Sequence, residues 1–303
     1  MPNRIMVITA HPGDLVERAG GTSAKHILMG DTVSWLCLTT GAVSHAFDIF
    51  AAEGPTKLHD MAGVKARKMR ELQIAAKILG VPFAMMFDYP ESPAGLHSSF
   101  AFKQVVDEIR MFKPDTILTS HPTEYGRFDH MDAGDFVIRC VDYARAPGFD
   151  SPLAPHDVKN VFMFHYADFR TDQLMGAARK APEIAIDITE VAERKFRAMM
   201  EFKTQFYKDQ DGEADTRAFM ERIDGSAAYY RGVGGRKGYA EMFTRLNPER
   251  YGYLPIMGIS EYMDMLRHKV KPPESVFVPE VGPISGIGDG AAIPAETEAR
   301  AKS

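Results

Sequence analysis

The feature that most constrains this chain is a short apolar run, RIMVITA at Arg4 to Ala10, that stops abruptly on His11-Pro12-Gly13-Asp14. A nearly unbroken run of this length reads as a strand buried on both faces, the kind found in parallel sheets, with a loop opening at its carboxyl end. From Asp14, LVERAGGTSAKHILMGD places apolar or small residues at helical spacing and stops at Gly30, and TVSWLCLTT supplies a second strand. The alternation continues with a helix from about Gly63 to Leu79 closed by Gly80, a strand at Phe83 to Phe87, a helix from Phe100 to Phe112 and a strand at Thr116 to Thr119. A helix then follows Met131 to about Ala144, and after a Pro-rich turn come strands at VFMFHYA and Glu183 to Ile188 and a helix from Glu190 to Tyr207. The expected fold is α/β: a Rossmann-like, mostly parallel sheet flanked by helices, with ligands gathered outside the carboxyl ends of the strands.

The expected organisation is one catalytic α/β domain over residues 1–250 and a C-terminal extension over 251–303. From Lys271 the chain is rich in Pro, Gly and Glu around an apolar SVFVPEV, which reads as an extended arm, with a disordered end from about Ala291. Such arms commonly pack across a neighbouring subunit, so a homo-oligomer is expected. With 303 residues, 45% hydrophobic and 25% charged, the composition is that of a globular protein. A net charge of −5 without a dense Lys/Arg cluster argues against a nucleic-acid partner. No segment reaches the roughly 20 apolar residues of a membrane span, and the opening residues are not those of a signal peptide. Two cysteines, Cys37 and Cys140, provide neither a disulfide framework nor a thiolate cluster, which fits the cytoplasm. The glycine-rich stretches match neither a dinucleotide loop nor a Walker loop.

The chemistry-bearing residues fall where strands are expected to end. His11 and Asp14, three positions apart in a compact turn, offer a nitrogen and an oxygen donor of the kind Zn²⁺ accepts, and a catalytic site needs a third ligand and an open position. The third comes naturally from TSHPTEYGRFDHMDAG, where Asp129-His130 precedes a helix; His121, Glu124 and Asp132 are the nearby alternatives.

Taken together, AHPGDLVERAGG, RELQIAAKILGV, HPTEYGRFDH and RGVGGRKGYAEMF resemble the PIG-L (LmbE-like) family of zinc-dependent N-deacetylases over about residues 3 to 245. The resemblance implies zinc held by His11, Asp14 and His130. It also brings departures, since the family's opening Ala-His-Pro-Asp-Asp-Glu has Gly13 here in place of its general base and Leu15 in place of its glutamate. The position of the family's acid histidine falls on Arg127. Both proton-transfer groups of a deacetylase are therefore missing.

One branch of the family, the 4-oxalomesaconate hydratases of aromatic-acid catabolism, shares the His-x-x-Asp opening without the base, the Arg-Ala-Gly-Gly stretch and the aromatic-Asp-His segment. The resemblance implies a metal-dependent hydratase acting on a small carboxylated substrate, an unsaturated keto di- or tricarboxylate. Those hydratases carry a glutamate in the loop after the second strand, whereas Gly41-Ala42-Val43-Ser44-His45 has none, and His45 is the candidate in its place. His165, isolated in an apolar strand, reads either as a second proton carrier or as a core histidine. For the substrate carboxylates the candidates are Arg127 and then Arg231, because a guanidinium fork matches a carboxylate bidentately. An ordinary deacetylase with a carboxylate such as Asp129, Asp132 or Glu124 as base is the second expectation. A non-catalytic binding protein on the same fold is the third.

Overall fold

A computed structural model describes residues 2–44, 54, 60–91, 96, 98–124, 128–164, 184–205, 212–226 and 238–246. All of these fall in the compact unit Met1–Pro248. His45, Arg127, His165, Arg231 and the extension 251–303 lie outside the described residues.

Strand β1 (Arg4–Thr9) pairs in parallel with β2 (Thr32–Cys37) on one side and with β4 (Thr116–Thr119) on the other. β3 (Phe83–Met86) extends the sheet beyond β2, and β5 (Asn160–Phe164) extends it beyond β4, both in parallel. β7 (Ala240–Arg245) lies antiparallel to β5, and β6 (Ile184–Asp187) antiparallel to β7. The order among the described residues is β3-β2-β1-β4-β5-β7-β6. It reverses between β1 and β4, and in open α/β sheets ligands settle in the crevice at that switch point.

The expected double-sided burial is present. Along β1, Ile5 and Val7 enter one apolar cluster while Met6 and Ile8 enter another across the sheet. The first face is covered by α1 (Pro12–Leu28), α2 (Met61–Leu79) and α5 (Ala192–Met199). The second is covered by α3 (Ser99–Phe112) and α4 (Phe128–Ala144). The remaining described helix, α6 (Gly212–Met220), runs into a π-helical turn at Glu221–Gly225. Among the described residues no helix is long and apolar enough to cross a membrane, and both cysteines are buried and free.

α1 is buried from Pro12 through Ala24, so its polar residues require internal partners. Glu241 on β7 accepts the backbone N–H groups of Gly21 and Thr22, each at 2.8 Å. The Lys195 ammonium on α5 lies 2.8 Å from Glu241 and 2.6 Å from Asp224, and donates to the Glu17 carbonyl at 2.8 Å. One lysine thus ties α1, α5, β7 and the π-helical turn together.

Three of the boundaries that differ from the sequence expectation bear on the site or have a clear physical cause. α1 begins at Pro12 rather than Asp14, because proline at the first helical position has no N–H to satisfy. α4 begins at Phe128, which places His130 in its first turn instead of before it. The helix expected over Glu190 to Tyr207 contracts to a 3₁₀ turn at Thr189–Val191 and α5, which gives way to turns after Met199. There Glu71 of α2 accepts from the Thr204 backbone N–H and hydroxyl at 3.0 and 2.5 Å, competing with continuation of the helix.

Candidate metal centre

The carboxyl ends of β1 and β4 deliver the site. His11 caps α1, and Asp14, three positions on, accepts its backbone N–H at 3.0 Å, the reach-back half of a capping box. The same carboxylate oxygen, Oδ2, lies 3.7 Å from His11 Nδ1 and 3.3 Å from His130 Nε2. His130 arrives from α4, which packs close because residue 134 is glycine: a Cβ there would stand 2.4 Å from the Ser120 carbonyl oxygen at the end of β4.

The three side chains are 3–5% exposed, and each offers a ligand atom within 4.8 Å of the others. Two imidazole nitrogens and one carboxylate oxygen, all buried and converging, are a donor set that suits zinc. Burial pushes the Asp14 carboxyl up, but His130, His11 and Arg18 outweigh it and hold the group well below the usual carboxylate range. Burial pulls His130 down, and the Asp14 and Glu124 carboxylates more than reverse this.

Behind these three residues stands a supporting set of charged side chains. Glu124 lies 3.2 Å from His130 Nδ1, which leaves Nε2 facing Asp14, and Arg18 of α1 lies 3.6 Å from the other Glu124 oxygen. On the far side of the His11 ring, Asp129 Oδ2 is 3.4 Å from Nε2. The bond with His11 is the main cause of an Asp129 pKa below its ordinary value. Carboxylates at the outer nitrogens of the two histidines fix ring orientation and raise basicity, the support that metal-binding histidines usually have.

Of the three alternatives for the third ligand, Glu124 is thus an orienting partner of His130. His121 engages Thr123 through Nδ1 at 2.9 and 3.2 Å. Asp132 does not join the converging cluster.

Three further residues escaped the sequence reading. Glu91, after β3, receives the N–H groups of Val43 and Ser44 at 2.9 and 2.8 Å and the Ser44 hydroxyl at 2.6 Å; that hydroxyl also lies 3.1 Å from Asp129. A carboxylate therefore does stand at the loop after β2, donated by a different loop. His11, Glu91 and Asp129 also bring ligand atoms within 4.8 Å, but both Glu91 oxygens are engaged by the loop, which makes Glu91 a clamp. Lys68 on α2 is completely buried, and its ammonium pKa is pushed down to about 8 by that burial against the pull of Glu71, Glu91, Cys37 and Asp14.

The third is Gln205. An ideal Cβ on Gly13 would lie 1.8 Å from Gln205 Oε1 and 2.5 Å from its Cδ, so the amide fills the space that a side chain at position 13 would enter. These three residues come from loops and helices far from the HPGD motif in sequence, and no sequence signal singled them out: Gln205 sits within the helix expected over Glu190 to Tyr207.

Comparison with known proteins gives matches in both sequence and fold. Residues 6–141 match the family model PIG-L, described as GlcNAc-PI de-N-acetylase. Diacetylchitobiose deacetylase of Thermococcus kodakarensis is 28% identical over 213 residues, covering 68% of this chain and 71% of that protein. The 4-oxalmesaconate hydratase of Pseudomonas putida is 25% identical over 194 residues, covering 64% of this chain and 70% of the relative. Among solved structures, GalB, the 4-carboxy-2-hydroxymuconate hydratase from Pseudomonas putida, superposes with a TM-score of 0.68 at 22% identity, covering 84% of this chain and 100% of that one. Over residues 6–141 the chain is thus similar to PIG-L proteins, and the relatives' names divide between deacetylation and hydration.

Proposed function

We propose that this PIG-L/LmbE-like enzyme is a zinc-dependent hydro-lyase acting on an unsaturated keto di- or tricarboxylate of the kind produced in aromatic-acid catabolism. The observation that carries the reading is at Gly13. Between the two ligand residues of the turn there is no side chain that can take a proton from water, and the space where one would begin is filled by the neutral Gln205 amide. Amide hydrolysis requires proton transfer at both the attacking water and the leaving nitrogen. Addition of water to a conjugated keto acid expels no amine and needs a held carboxylate, a polarised oxygen and one proton carrier. The named activity of the Pseudomonas putida 4-oxalmesaconate hydratase agrees with this reading.

Held by His11, Asp14 and His130, zinc would supply positive charge for the substrate's carboxylate or enol oxygen. Glu124 and Asp129 keep the two imidazoles turned toward that point. Arg127 and Arg231 are the proposed carboxylate partners, and His45 or His165 the proposed proton carrier.

Hydrolysis of an N-acetyl sugar is the second reading, favoured by the similarity to diacetylchitobiose deacetylase and by the Asp129 carboxylate on the far side of the His11 ring. The test sets the two chemistries side by side: loss of the conjugated chromophore from a panel of oxo-enoates, and amine release from N-acetylated sugars, each before and after chelation. Chelator-sensitive chromophore loss without amine release is expected. Amine release with an untouched chromophore would overturn the hydratase reading.

A further inference from the structure

Gln205 does more than occupy space. Its backbone N–H donates to the Phe202 carbonyl at 3.0 Å, and the preceding Thr204 is clamped by Glu71 through backbone and hydroxyl. Its side-chain Nε2 donates to the buried carboxylate of Glu17 on α1. With the nitrogen end committed, the oxygen end is turned toward Gly13, in the ligand-bearing turn. Gln205 Oε1 is enclosed there and accepts no hydrogen bond among the described residues. A buried carbonyl oxygen without a donor carries a desolvation cost, which is recovered when a bound group supplies an N–H or O–H.

We propose that Gln205 Oε1 is the acceptor that positions a hydrogen-bond donor held at the His11–Asp14–His130 cradle, either water or a substrate hydroxyl, and that residue 13 is glycine because this amide needs the volume of its Cβ. The inference rests on the reading that those three residues hold a metal. Gln205 is on this account a positioning residue. It selects for bound groups that carry a donor over those that carry only lone pairs, because an acceptor-only group leaves Oε1 unpaired in a dry place.

The test uses full-length protein loaded with Co²⁺, whose visible absorption reports binding at the metal. Wild type and Gln205→Met, which keeps the chain's bulk but has no carbonyl, are first compared for cobalt per chain, then titrated with acetohydroxamate, which carries a donor, and with azide, which carries none. Equal cobalt and a ratio of acetohydroxamate to azide affinity about tenfold lower in the variant than in the wild type are expected, about the effect of one lost hydrogen bond. An affinity ratio unchanged between wild type and variant would overturn the proposal while leaving the metal reading intact. Absence of cobalt from the wild type would overturn the metal reading on which it rests. A double-mutant cycle in Tm provides a check that needs no ligand: Gly13→Ala is expected to lower Tm in the wild type but not in a Gln205→Ala background, and additive effects would contradict the shared volume.

Discussion

Glu124 touches no reacting atom in this account, yet the orientation of His130 depends on it. Its carboxylate lies 3.2 Å from His130 Nδ1, and it is itself approached by Arg18 at 3.6 Å. Substitution by Gln keeps the shape but removes the charge that favours a strongly basic Nε2. Losses of this kind typically weaken metal binding about 10–100-fold. Competition against a chromophoric chelator should show that decrease for Glu124→Gln, and an unchanged affinity would mean that Glu124 serves packing alone. The converging pair His11 and Asp14 was legible because one turn carries both. Glu124 was legible only as a rival ligand, since spacing along a chain does not say which of two neighbouring donors stands behind the other. Glu91, Lys68 and Gln205 were not legible, because each is brought to the site by tertiary packing of an element whose own sequence pattern is explained by its core face.

Between elements, the junction of α1, α5, β7 and the π-helical turn carries a titratable load. Burial pushes the Asp224 carboxyl up to about 7; Lys195 pulls it down and Glu241 adds to the rise. With one ammonium between two carboxylates, the folded protein retains a proton that the unfolded chain, with Asp at its ordinary value near 3.8, releases. The folded state therefore binds the extra proton between about pH 4 and about pH 7, and stability from this group is lost as pH rises through that window. Chemical denaturation should show a steeper decline over this range for the wild type than for Asp224→Asn, which carries no titrating carboxyl. Parallel profiles would mean that Asp224 is ionised throughout. A separate contact, from α2, explains a boundary that periodicity missed: the apolar repeat runs on past Met199, but Glu71 captures Thr204 and the helix stops.

At the scale of the whole molecule, strand and helix alternation was enough to anticipate a mostly parallel sheet with helices on both faces, because continuous apolar strands such as β1 require cover on each side. The strand β7, antiparallel between β5 and β6, was not anticipated, since AEMFTR mixes buried Glu241 and Thr244 with its apolar residues directly after a glycine-rich stretch. The strand order puts the reversal between β1 and β4, and the two ends that flank it carry His11 and, through α4, His130. Fold and candidate centre are thus linked: the helix starts and the switch point bring together donors that lie more than a hundred residues apart in sequence. The most direct test is the zinc content of protein purified without added metal, measured for the wild type and for His130→Ala with folding checked by circular dichroism. Near-stoichiometric zinc in the wild type and its loss from a folded His130→Ala variant is the predicted result; a wild type without metal, or a variant that keeps it in full, would contradict the account.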